Sequence, residues 1–191
     1  MALVYNAVMS APAQKPMDVQ AFLAFAEKQE RGRFELWRGE LVAMAPERVE
    51  HVRAKAVIWR ALQTAIEKAG LSCEAFVDGL SVAIDSDTAY EPDALVNCGE
   101  KIPGGSMLAP APVVVVEVVS PSSSKRDTGL KVDGYFSVAT IAHYLVVDLA
   151  KRIVLHYRRE SEARIGVTIL RDGALTLDPP RITVELAEFF C

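Results

Sequence analysis

The chain has 191 residues, of which 51% are hydrophobic and 24% charged, with a formal net charge of −4. That apolar fraction excludes a disordered chain, and ten Pro with eleven Gly exclude a low-complexity one. With pI about 5.5 there is no global basic field to attract nucleic acid, so any such partner must be read by a local patch.

A chain of this length fits one domain and buries about 70% of its unfolded surface without a disulfide or a structural metal. Residues 1–16 read as a flexible N-terminal arm and 17–191 as a single domain. The stretch Met1–Ser10 carries no basic residue and lacks the layout of a secretory signal. Met107–Val119 is broken by Pro110, Pro112 and Glu117 and is too short to span a bilayer. Cys73, Cys98 and Cys191 are widely spaced and form no Cys-x-x-Cys, so they read as small buried hydrophobes in a reducing compartment. A cytoplasmic protein with no membrane partner is the expectation.

In chain order, Asp18 caps a helix running to about Glu30, with Val19, Phe22, Leu23 and Ala26 as its apolar stripe. Phe34–Trp37, Arg38-Gly39 and Glu40–Met44 spell two strands around a tight Gly turn. A longer helix spans about Arg48–Ala69, its stripe read as Val52, Ala56, Trp59, Leu62 and Ile66, with Gly70 as its stop. Four strands follow: Ser72–Val77, Leu80–Ile84, Asp93–Val96 and Val113–Val119. The last is apolar on both faces, as a covered central strand requires. Ser122-Ser123-Ser124 offers caps for a helix to about Val138. Strands at Tyr144–Val147 and Ile153–Tyr157, a polar charged loop, and short strands near Val167–Leu170 and Ile182–Val184 complete the chain. The order describes a mixed α/β domain with a hairpin at its front.

Charge is segregated. Between Ala69 and Glu100 there are seven acids and no Lys or Arg, whereas Lys151–Arg164 holds five bases against two acids. Within the acidic half one finds Asp93, which opens a strand after Pro92. Glu117 lies inside Val113-Val114-Val115-Val116-Glu117-Val118-Val119. Burying a lone carboxylate there costs several kcal/mol, so it needs a basic partner, a proton or a cation. Two acids from neighbouring strands meeting at one sheet position make a hard oxygen site suited to Mg²⁺ or Mn²⁺. Lys125, Arg126 and Lys131 on the following helix are the nearest cations. The back-leaning of helical side chains favours Lys131 as the one reaching the strand end. A surface ion pair with Asp127 is the ordinary alternative for Lys131.

Taken together, Phe34–Leu41, Pro92–Val96, Val115–Ser122, Lys125-Arg126-Asp127 with Lys131 and Tyr135, and His143–Asp148 resemble, in this order, the Uma-two family. That family is a restriction endonuclease-like branch of the PD-(D/E)XK nuclease superfamily. The likeness runs from about Asp18 to the C-terminus. It implies a restriction-endonuclease-like αβββαβ core, with a four-stranded mixed sheet flanked by helices. Around that core the sequence adds an N-terminal helix, a β-hairpin and extra C-terminal strands. It also implies that Asp93 and Glu117 hold Mg²⁺ and that a metal-activated water hydrolyses a DNA phosphodiester. Glu40 and His51 stand where such proteins place accessory polar residues.

One departure is plain: the signature Lys belongs two residues after the second acid, where this chain has Val119. The family moves that Lys into the next helix, where Lys131 matches best and Lys125 second. The leading expectation is therefore a Mg²⁺-dependent endonuclease with Asp93, Glu117 and Lys131 as its catalytic set. Its rivals are a non-catalytic binding or assembly module on a degenerate nuclease fold, and a metal hydrolase acting on a smaller phosphate ester. Apolar hairpin residues and Phe189-Phe190 point to a homodimer or higher homo-oligomer.

Overall fold

A computed structural model describes residues 16–119 and 125–190, for 125–128 and 130 by backbone only. The arm over 1–15, the Ser120–Ser124 turn and caps, the side chains of Lys125 and Arg126, and Cys191 lie outside the described residues. The first helix, α1 (Val19–Ala26), begins as expected: Asp18 Oδ1 accepts from the Ala21 N–H at 2.8 Å. It stops short of Glu30, before Gly32 at φ +90°. Strands β1 (Phe34–Trp37) and β2 (Glu40–Ala43) pair around Arg38 and Gly39, both at positive φ, the backbone twist that a two-residue hairpin favours.

Helix α2 (Val49–Ala69) ends at Gly70 in the left-handed conformation, φ 63°. Its stripe is rotated from the expected one. Ala54, Ile58, Ala61, Leu62, Ala65 and Ile66 are buried, while Val52 is 53% exposed and Ala56 faces solvent. Three alanines share the packing face with Ile58, Leu62 and Ile66, and the larger Val52 and Trp59 point to a different phase.

After α2 come β3 (Cys73–Val77), β4 (Val82–Ala83), β5 (Ala89–Tyr90), β6 (Ala94–Cys98) and β7 (Pro112–Val119). Then follow α3 (Lys125–Ser137), β8 (His143–Asp148), β9 (Ile153–Ser161), β10 (Arg164–Leu170), β11 (Ala174–Leu177), β12 (Ile182–Glu185) and a final 3-10 turn, Leu186–Phe189. The expected charged loop after Tyr157 is instead the continuation of β9 into a hairpin with β10, and β5 and β11 were not anticipated.

The main sheet has six strands in the order β10-β9-β8-β7-β6-β3, with β7 and β8 parallel and the other pairs antiparallel. Within it α2, β3, β6, β7, α3 and β8 give the αβββαβ order, with β4 and β5 joined to the front hairpin in a second, four-stranded sheet. One face of the main sheet packs under α2 and the C-terminal strands: Ile58, Leu62, Ile66, Val96, Val114, Val116 and Leu145 with Leu177, Ile182 and Phe189. The other carries Leu95, Val115, Tyr144 and Val146 under Tyr135 and Phe136 of α3. Phe189 is fully buried and Phe190 packs against the core, so the C-terminal phenylalanines are not an exposed surface. No helix among the described residues is long and apolar enough to cross a membrane.

The cysteine expectation is corrected. Cys73 of β3 stands opposite Cys98 of β6, Cα–Cα 4.1 Å, and the two form a disulfide. Strand register, which their separation of 25 residues conceals, brings them together.

His143 and His156 also meet in the interior, Nδ1 to Nε2 at 2.8 Å. Burial holds His143 down to about 4, and burial with the neighbouring His143 and Arg158 does the same for His156. Both therefore stay neutral in the fold while the unfolded chain takes up protons below about 6.5. Their contribution is complete above pH 6.5 and is lost as pH falls toward 4. Thermal melts are expected to show a loss of about 3 kcal/mol for each histidine across that window. A His143→Leu/His156→Leu chain is expected to lack that loss.

Candidate metal and nuclease site

Asp93 and Glu117 are brought face to face. Antiparallel β6 and β7 pair Ala94 with Val116, so the next position outward sets Asp93 against Glu117, and directly opposed residues share a face. That face is the α3 side, shared with Leu95 and Val115, and Tyr135 of α3 meets Glu117 there. Asp93 is 8% exposed. Its Oδ2 accepts from the Val118 N–H at 2.6 Å, and its Oδ1 lies 3.5 Å from Lys55 Nζ. Burial, and next the charge of Glu117, push the Asp93 carboxyl up to about 7, against the pull of the Val118 N–H and Lys55. At neutral pH this acid is only partly ionised, and a positive charge brought close would favour its anion.

Glu117 is held differently. Its Oε1 accepts from Lys131 Nζ at 2.9 Å and from the Tyr135 hydroxyl at 2.7 Å. Lys131 Nζ also donates to Glu35 Oε1 at 2.7 Å, and it lies 5.2 Å from the centre of the Tyr90 ring. Burial pulls this ammonium down, but Glu117 and Glu35 outweigh it and hold it above its ordinary value. Glu35, itself raised by burial, accepts from the Glu91 N–H at 3.0 Å through the same oxygen. Gly134 lets α3 approach, since a Cβ there would lie 2.7 Å from the Tyr90 ring.

A second group adjoins Asp93. Oxygens of Glu47, Asp78 and Asp93 lie within 4.8 Å of one another, around the Lys55 ammonium. Lys55 is 1% exposed; it pairs with Glu47, with Asp78 at 2.9 Å and with Asp93. Arg33 closes the group by pairing with Glu91 and Asp78. Among the described residues the guanidinium pairs with Glu91 and Asp78, whereas the cations beside Asp93 and Glu117 are the ammonium groups of Lys55 and Lys131. A cavity of about 500 Å³ opens beside Arg33, walled by Phe22, Phe34 and Met107.

Of the expected residues, Lys131 meets Glu117, while Asp93 bonds the neighbouring Val118 N–H and faces Lys55. Glu40 does not join them: it is exposed on β2, and the hairpin contributes Glu35 from β1 instead. His51 is half-buried in the first turn of α2, with Nε2 unpartnered among the described residues. Glu35, Glu47, Lys55, Asp78 and Arg33 were not anticipated. Lys55 alone left a signal, a charged residue between Ala54 and Ile58 on the packing face of α2.

The sequence matches the Uma2 family, described as "Putative restriction endonuclease", over residues 19–187. The chain belongs to that family. Among solved structures, the Uma2 chain is similar to a protein described as a "putative nuclease belonging to DUF820" from Anabaena variabilis ATCC 29413. The TM-score is 0.71 at 16% identity, covering 92% of this chain and 98% of that one. At that identity the likeness shows the fold. No curated protein matches the chain.

Proposed function

We propose that this Uma2 protein is a divalent-metal-dependent nuclease that hydrolyses phosphodiester bonds in DNA at the Asp93–Glu117 site. The observation that carries the reading is Lys131. Its buried ammonium is fixed beside Glu117 by a helix, which supplies the function that Val119 cannot. Family membership and the fold agree with it.

The residues fit a hard cation. Asp93 and Glu117 offer carboxylate oxygens from adjacent segments of the sheet, and a cation held there would favour the ionised form of Asp93 against the burial and the Glu117 charge that raise it. Mg²⁺ or Mn²⁺ held there supplies Lewis-acid stabilisation of charge on a phosphoryl oxygen and lowers the pKa of water. Asp93 is fixed for this by the Val118 N–H, and Glu117 by Tyr135. Lys131 then orients the attacking water or opposes charge in the transition state, and Glu35 holds Lys131 in place.

The test is plasmid cleavage with and without Mg²⁺ by the wild type and by Asp93→Ala, Glu117→Ala and Lys131→Ala. Glu117→Ala is expected to lower the rate about a hundredfold or more. Equal, metal-independent cleavage by all four would mean contamination and end the reading.

A further inference from the structure

The six-stranded sheet ends on one side at β10, whose outer backbone edge pairs with no strand among the described residues. Ile165, Val167 and Ile169 on this strand are 37, 57 and 60% exposed. Val167 lies opposite Tyr157 and Ile169 opposite Leu155. Those two β9 residues pack into the cluster under α3, so the same apolar face runs on past its helix to an uncovered edge. A seven-residue edge without Pro, carrying a bulge only at its Arg164 end, is a template for another strand.

The stripe also names its partner. Ile-Gly-Val-Thr-Ile reads Ile-x-Val-x-Ile from either end. Antiparallel pairing about a two-fold axis at Val167 sets Val167 against itself and Ile165 against Ile169 of a second copy, twice over. Such a self-complementary patch is what an isologous interface needs. Charge agrees with this register. It places Arg164 opposite the uncharged Leu170 of the second copy. A parallel in-register pairing instead sets Arg164 and Arg171 each against its own like charge. Among the described residues two other free edges carry exposed apolar residues, β2 with Leu41 and Val42 on four residues and β3 with Val77 alone, and neither has such a symmetric stripe.

We propose that β10 is a homodimer interface, in which a second copy of this chain adds its own β10 antiparallel, centred on Val167, to form one continuous sheet. This stands on the edge strand alone and is independent of the nuclease reading.

Light scattering on the full chain at micromolar concentration tests it. The expected mass is twice the 20.8 kDa chain. Val167→Arg, at an exposed position, is expected to reduce it to one chain with an unchanged circular dichroism spectrum, whereas Leu41→Arg leaves the dimer intact. Register is read separately in a Cys191→Ser background under mild oxidation. There Val167→Cys closes an intermolecular disulfide by itself, Ile165→Cys does not, and Ile165→Cys mixed with Ile169→Cys does. A wild type of single-chain mass, a dimer that survives Val167→Arg, or a dimer lost on Leu41→Arg would each overturn the proposal.

Discussion

Replacing Lys131 by Met is expected to cut Mg²⁺-dependent cleavage by about a hundredfold to a thousandfold, the range for removing one preorganised donor from a site of developing charge. Met keeps the length and bulk of the side chain, so packing against Tyr90 survives while the charge goes. The stability effect is also large. Lys131 is the shared cation of Glu35 and Glu117, and its loss leaves two carboxylates in a site where burial already raises Glu35. Breaking a buried pair in this way costs about 3 kcal/mol or more at neutral pH. The sign of its pH dependence is fixed: acid protonates the orphaned carboxyls, so the deficit shrinks as pH falls. Guanidinium denaturation at several pH values checks the stability effect. Cleavage assayed where circular dichroism shows the variant folded checks the catalytic one. Wild-type cleavage rates in a folded Lys131→Met chain would remove the residue from the mechanism.

The contrast between Lys131 and Lys55 shows what the sequence could reveal. Glu117 was conspicuous because every neighbour in its strand is apolar, and one charge in such a run demands an explanation. Lys131 followed because helix geometry points its side chain back to that strand end. Lys55 is as deeply buried, yet it was hidden by a mis-phased helix whose packing face mixes Ala54, Ala61 and Ala65 with Ile58, Leu62 and Ile66 and leaves Val52 outside. Glu35, Glu47 and Asp78 join the site through pairings between segments distant in sequence: hairpin to α3, and the loop before α2 to the turn after β3. No local periodicity reports such contacts. Cys73 and Cys98 fail for the same reason, since a cross-strand neighbour is set by register and not by spacing. The order helix, strands, helix, strand was legible from apolar patterns and from stops such as Gly70, and it was the family resemblance that implied the αβββαβ core. Strands β5 and β11, two and four residues long, carry too little pattern to stand out.

Asp93→Asn is expected to make the metal-free protein more stable while abolishing its cleavage. A carboxyl raised from 3.8 to about 7 disfavours the fold above that pH, because the native state must release a proton that the unfolded chain gave up far earlier. Stability conferred by the wild-type residue therefore falls as pH rises from about 4 to 7. At roughly 1.4 kcal/mol per pH unit that displacement, which already includes the attraction to Lys55, bounds the gain at about 4 kcal/mol, and the Asn amide NH2 left facing the Lys55 ammonium, donor to donor, reduces it to about 2. Asn keeps an oxygen for the Val118 N–H, so the β6–β7 junction is preserved. Denaturation at pH 8 without metal is expected to show Asp93→Asn ahead by about 2 kcal/mol, with the gap closing toward pH 4. Adding Mg²⁺ is expected to stabilise the wild type and leave the variant unmoved. Calorimetry in buffers of different ionisation enthalpy is expected to show Mg²⁺ binding releasing a proton near pH 7, since a ligand must be deprotonated to bind. A variant less stable than the wild type at pH 8 would make Asp93 a structural acceptor for Val118, and its high carboxyl would then have no catalytic meaning.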